Sequence, residues 1–246
     1  MFSALPQAYM AVFAMLAAIW AAAYVIGMLR GQPNEDRSRR LPLTAKLIMI
    51  AVTLILGALW LAHASRTDAA QFALLVFLGL IFGAGGDLLL AGMFPFKRAE
   101  LVALGVFGIG HAFYIAASLA LRAQMGFTAT PPVIAALAVA AVLAALIWAL
   151  QVRNPSGSHT MNIASLIYGI LLMITVAIAA LLWIDVPRMA ILLAGITLFA
   201  VSDLLLAQYL IRRQGFAYIR DVVWLIYSTG QVLIAFAIGA AVALLR

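Results

Sequence analysis

Eight runs of about 20 apolar residues, each ended by a short polar stretch, constrain this chain more than any other feature. A bilayer core of about 30 Å is crossed by a helix of roughly that length. In lipid every backbone polar group must be paired within the protein, so spanning segments are helices or closed barrels, and runs this continuously apolar are not barrel strands. The fold class is therefore all-α, a polytopic membrane protein. Its eight transmembrane helices are expected at about 6–29, 43–64, 70–92, 99–121, 132–152, 160–183, 187–210 and 218–245, forming a single integral membrane domain over residues 1–246. Composition agrees, since only 9% of residues are charged, against about a quarter in soluble domains.

The first run begins without a basic segment and is longer than the apolar part of a signal peptide, so it reads as a retained helix. Pro42 suits the first turn of the second helix, where its missing N–H would be unpaired in any case. Eleven of the 15 Lys and Arg lie in or beside the loops after helices one, three, five and seven: Arg30, Arg37, Arg39, Arg40, Lys46, Lys97, Arg98, Arg153, Arg212, Arg213 and Arg220. Arg66, Arg122, Arg188 and Arg246 fall on the other side. Positive charge accumulates on the cytoplasmic side, so both termini are expected outside, in a cell membrane of the bacterial inner-membrane type.

Several classes of chemistry are excluded. There is no cysteine, hence no disulfide framework, thiolate nucleophile or Cys-ligated metal. His63 and His159 fall at helix ends, away from His111 in helix four, so a three-His metal site is not expected. The net charge of +7 is scattered over loops, without the basic stripe of a nucleic-acid binder. Membrane lipids are the expected partners.

Within this apolar background two carboxylates stand out. Asp87 lies in Gly79–Met93, GLIFGAGGDLLLAGM, and Asp203 in Gly195–Tyr209, GITLFAVSDLLLAQY; each is followed by Leu-Leu-Leu-Ala and preceded by a glycine eight residues upstream. Allowing a four-residue difference in loop length, Gly110-His111 falls on Gly230-Gln231. This is a repeat of helices three and four in seven and eight. It suggests two four-helix halves related by a pseudo-two-fold axis along the membrane normal, although helices one and two have no clear echo in five and six. The acids are expected at equal depth, about 8–9 Å below the cytoplasmic surface.

An ionised Asp within a membrane helix costs about 2.5–3.5 kcal/mol on insertion scales. A lone one often only hydrogen-bonds a neighbouring helix; two in matching settings point to a site. Burial and mutual repulsion favour the neutral form of a carboxyl, so such a pair would share a proton and supply one acid and one base. That is the equipment for hydrolysis by protonation and water activation. His111, Tyr114, Tyr168, Ser202, Tyr227, Gln231 and Asn162 are candidate supporting residues, each with an alternative reading as an interhelical contact or interface anchor. Arg212, Arg213 and Arg220 read as topology charges near a cytoplasmic mouth, where they would also suit a phosphate.

Gly86-Asp87-Leu-Leu-Leu, Gly110-His111-Ala-Phe-Tyr114, Tyr168, Ser202-Asp203-Leu-Leu-Leu-Ala and the Pro42-Leu-Thr start of helix two together resemble the YhhN-type lysoplasmalogenase family, over about Pro42 to Phe236. One departure is Leu41, after Arg39-Arg40, where family members often carry a lysine. The resemblance implies cleavage of the vinyl ether of a lysoplasmalogen, with water, to a fatty aldehyde and glycerophosphocholine or glycerophosphoethanolamine. In it Asp87 and Asp203 are the catalytic pair, and no cofactor or metal is needed. The competing readings are a proton- or cation-coupled transporter, a lipid-binding membrane protein, or a hydrolase of the same fold acting on another lipid. The absence of proline inside helices three and seven disfavours the broken helices of transporters. A retinal protein is excluded because helices five to eight contain no lysine.

Overall fold

The computed structural model describes residues 7–245; Pro6 and Arg246, which enter the expectations above, lie outside them. The helices are α1 (Gln7–Arg30), α2 (Leu43–Ala64), α3 (Ala70–Leu90), α4 (Ala99–Gln124), α5 (Thr130–Ile147), α6 (His159–Asp185), α7 (Ala190–Leu210) and α8 (Ile219–Leu244). A wider π-helical turn, Trp148–Val152, prolongs α5, and a 3₁₀ turn, Pro187–Met189, leads into α7. No strand occurs among the described residues, and all eight helices are long and apolar enough to cross a membrane. The chain is a multi-pass membrane protein.

Local chemistry sets the helix ends. Pro131 and Pro132 open α5, and the Ser158 hydroxyl caps α6 by accepting from the N–H of Met161. Gly92 (φ 75°) stops α3 two residues short of the expected end. Its N–H donates to Leu89 O and that of Met93 to Leu88 O, the paired reverse bonds of a glycine cap. Gly126 (φ 87°) closes α4 in the same way, three residues later than expected.

The repeat is visible in the packing. In α3 and α4, a side chain added at Gly110 would lie 3.1 Å from Gly79 O, and Gly79 faces the ring of Tyr114. In α7 and α8, one added at Gly230 would lie 2.7 Å from Gly195 O, and Gly195 faces Ile234, the counterpart of Tyr114. Both pairs therefore cross at corresponding glycines, and each acid sits eight residues beyond its crossing, about 12 Å along the helix. The equivalence reaches the remaining helices, where the sequence carries no echo. Helix α1 packs on α2 as α5 packs on α6, and α2 lies against α3 and α8 as α6 lies against α7 and α4. Four helices thus repeat as four.

The loops after α1, α5 and α7 share one face. The Asp221 carboxylate, buried in the first turn of α8, accepts the backbone N–H groups of Arg40 (2.6 Å) and Leu41 (3.0 Å). Tyr218 N donates to Arg37 O, Arg220 N to Ser38 O, and the Tyr209 hydroxyl to Asp36 Oδ2. Asn154 Nδ2 donates to Ile211 O. The 31–42 segment is thereby strapped over the ends of α7 and α8. The Ser38 N–H, with the Ser38 and Tyr209 hydroxyls, holds the exposed Asp36 carboxyl down at about 2. Because this pKa is depressed, its contribution to the strap is present above about 4 and is lost as pH falls toward 2. On the opposite face Arg122, one residue past the expected end of helix four, is buried in the last turn of α4 and paired with Asp185 of α6 at 2.6 Å.

Gly195→Ala and Gly230→Ala should each lower stability by about 1–3 kcal/mol through overpacking at the crossing, measured by thermal or SDS unfolding in detergent. Gly105→Ala, with nothing within 4 Å of the added carbon, should change little; equal losses at all three would show that the crossings are not special.

Candidate active site

Both acids lie inside the bundle, and each ends a row of hydrogen-bond donors. The Tyr114 hydroxyl donates to Gln231 Oε1 (3.0 Å), Gln231 Nε2 donates to the Tyr227 hydroxyl (3.0 Å), and Tyr227 is directed at Asp87. The Tyr168 hydroxyl donates to Asp203 Oδ2 and lies 3.3 Å from His111 Nε2. With that hydroxyl's proton committed to Asp203, Nε2 of a neutral His111 must carry hydrogen and donate to Tyr168. His111 Nδ1 is then an acceptor, buried and without a hydrogen-bond partner; the residue is 1% exposed. The two rows cross-serve the halves. Gln231 of the second half supports Asp87 of the first, while its repeat counterpart His111 supports Asp203 of the second.

Asp87 and Asp203 are close enough to interact electrostatically. Between the two rows lies a cluster of rings: Phe199 packs on His111 at 4.6 Å and on Tyr227 at 4.9 Å, and Phe107 on Phe199 at 5.9 Å. The surroundings of the acids differ. Asp87 is 8% exposed and also lies within electrostatic reach of Lys46, whose ammonium stacks over the Trp224 ring at 4.7 Å. Lys46 in turn interacts with Arg39, Arg220 and Asp221.

Each acid opens on its own cavity. Asp87 lines a space of about 20 Å³ between α2, α3 and α8, with Met49, Thr53, Trp224, Tyr227 and Gln231; that is room for about one water molecule. Asp203 lines an apolar cleft of about 310 Å³ between α4, α5, α6 and α7. The two acids thus interact electrostatically but line separate cavities.

Of the residues singled out in the sequence, Tyr114, Tyr168, Tyr227, His111 and Gln231 gather around the acids. Ser202 is buried next to Asp203, and its hydroxyl is spent on Phe199 O at 2.6 Å. Asn162 lies elsewhere: its amide holds the turn into α6, accepting from Asn154 N (3.0 Å) and donating to Asn154 O (2.8 Å). Lys46, Trp224 and Asp221 were missed. For Lys46 a signal existed, since a lysine one turn inside an apolar helix is itself a reason to look for an acid.

A family model described as the YhhN family matches residues 45–238. No curated protein and no solved structure matches the chain.

Replacing Gln231 by Leu removes the acceptor of Tyr114 and the donor to Tyr227 at once. We expect a loss of about 1–2 kcal/mol, the upper end for interhelical hydrogen bonds in membranes, read from unfolding in detergent. Unchanged stability would show that the row is not formed.

Proposed function

The chain belongs to the YhhN family, and from that membership we propose that it is a lysoplasmalogenase, hydrolysing the vinyl ether of a lysoplasmalogen to a fatty aldehyde and a glycerophospho-alcohol. The observation that carries the reading is an apolar cleft within the membrane bundle that has a carboxyl, Asp203, in its wall and a second, Asp87, within electrostatic reach. An aliphatic substrate needs the former and acid-catalysed hydration of an enol ether needs the latter.

In the proposed reaction Asp203, which faces the cleft, delivers its proton to the β-carbon of the vinyl ether. The double bond's electrons form the new C–H bond, leaving an oxocarbenium ion at the α-carbon. Asp87, as carboxylate, offsets that positive charge through space, while water bonds through its oxygen to the α-carbon and gives a proton to the Asp203 carboxylate, which restores the acid. The resulting hemiacetal collapses, breaking the bond to the glycerol oxygen, which leaves protonated while the hydroxyl carbon becomes the aldehyde. The Tyr168 hydroxyl orients Asp203, and the Tyr114–Gln231–Tyr227 row orients Asp87. The two-carboxylate logic parallels that of glycosidases. The lysoplasmalogen and water are the proposed partners of this site. We read the chain as a single membrane domain, and the excess of Lys and Arg on the face where Lys46, Arg39 and Arg220 lie supports a cytoplasmic setting for that face in a cell membrane, with both termini outside.

The uninterrupted α3 and α7 favour this reading over a coupled transporter. Purified protein in detergent should release aldehyde from lysoplasmalogen, and Asp87→Asn and Asp203→Asn should each slow release at least about a hundredfold. No aldehyde from the wild type, or full activity in folded Asn variants, would sink the assignment.

A further inference from the structure

Three cations converge where the 31–42 strap crosses the bundle. Arg39 comes from the strap, Lys46 from the first turn of α2 and Arg220 from the first turn of α8, and both arginines lie within electrostatic reach of the Lys46 ammonium. Two contacts bring them together. Arg220 N donates to Ser38 O, which sets the neighbouring Arg39 against the start of α8. Lys46 stacks over the ring of Trp224, which lies one turn beyond Arg220 on the same face of α8.

Like charges repel, and the protein supplies no counter-ion at this place. None of the three cationic groups has a hydrogen-bond or ion-pair partner among the described residues. Asp221 is 1% exposed, and its two carboxylate oxygens are committed to the N–H groups of Arg40 and Leu41. Asp87 and Asp221 attract Lys46 through space without forming an ion pair with it. Neighbouring arginines are used differently: Arg40 Nε donates to Gly31 O at 2.9 Å, and Arg212, expected to stand with Arg220 near a phosphate, donates to Leu150 O at 2.6 Å.

The three groups are also held ready. Asn34 N donates to Arg39 O and Arg39 N to Asn34 Oδ1, both at 2.9 Å, and a Cβ at Gly31 would lie 2.1 Å from Arg40 O, so the strap is closed on itself. Cations presented from a fixed backbone lose little freedom when a ligand binds.

We propose that Arg39, Lys46 and Arg220 form a phosphate-binding site that joins the strap to α2 and α8. A phosphate group offers several oxygens, enough to accept from two guanidinium forks and one ammonium together. The site lies in the first turns of two spanning helices, the level at which lipid headgroups meet the bilayer core. The phosphate is that of a membrane lipid or a free anion, and either source places the same group among the same cations. The site is apart from the cleft of α4, α5, α6 and α7 and rests on no step of the reaction proposed above.

Two binding measurements on detergent-purified protein separate the sources. Inorganic phosphate is titrated by calorimetry at constant ionic strength, so that general screening does not change. Phosphatidylglycerol and a diacylglycerol of the same chains are added in turn, and bound lipids are counted by native mass spectrometry. Phosphate or phosphatidylglycerol should bind, and diacylglycerol should bind at least about tenfold more weakly. Binding of phosphatidylglycerol alone identifies a lipid headgroup as the ligand; binding of phosphate identifies the anion as sufficient. Arg39→Gln, Arg220→Gln and Lys46→Gln should each weaken binding at least about tenfold. Arg39 and Arg220 are half-buried, so their variants keep the test open should Lys46→Gln fail to fold. Lys97→Gln, which removes one charge from the exposed loop after α3, should bind as the wild type does. No binding of either probe, wild-type affinity in folded Arg39→Gln and Arg220→Gln, or an equal loss in Lys97→Gln would overturn the proposal. Neither measurement reads aldehyde release, so failure of the hydrolytic reading leaves this outcome unchanged.

Discussion

The bundle depends on two places where backbone meets backbone, Gly79 against Gly110 and Gly195 against Gly230. Lipid tails are as apolar as leucine, so membrane helices gain little by hiding apolar surface from one another and associate through close packing and hydrogen bonds instead. Glycine at both sides of a crossing permits that closeness. Here it fixes the register of α3 on α4 and of α7 on α8, and with it the position of each acid eight residues further on. The other helices buttress these two pairs, α2 and α6 directly and α1 and α5 from outside.

A carboxyl inside an apolar bundle needs partners, and both halves contribute them. Asp87 is served by Tyr227 and Gln231 of α8, Asp203 by Tyr168 of α6 backed by His111 of α4. Each row ends on its acid, so the acids are oriented by groups that also pack the centre of the bundle. Lys46 breaks the symmetry, since it offers a positive charge within reach of Asp87. A duplicated site is thereby made into two unlike sites, the condition for two carboxyls to take different roles in one reaction.

The same divergence is written in the cavities. With Trp224 against Leu104, and Gly83 against Phe199, one cavity has a volume of about 20 Å³ and the other about 310 Å³. Each exchange keeps the residue apolar, so neither disturbs the membrane fold. What changes is volume, which a duplicated bundle can vary on one side while its counterpart stays packed.

The sequence by itself determined eight spanning helices, most ends to within three residues, the two buried acids, and the repeat of α3–α4 in α7–α8. These follow from properties that neighbouring residues carry together: apolar run length, caps such as Gly92 and Gly126, and a motif kept because glycines at a crossing cannot be exchanged freely. Only the tertiary structure decided that α1 and α2 repeat as α5 and α6, because lipid-facing positions need only remain apolar and lose the trace of a common pattern. It also decided that Asp221 straps the first loop, that Arg122 pairs with Asp185, that Asn162 serves a turn, and that the acids face separate cavities. Each of these depends on which helix lies alongside and how it is rotated, and an apolar helix in lipid carries too little amphipathic contrast to announce its inner face.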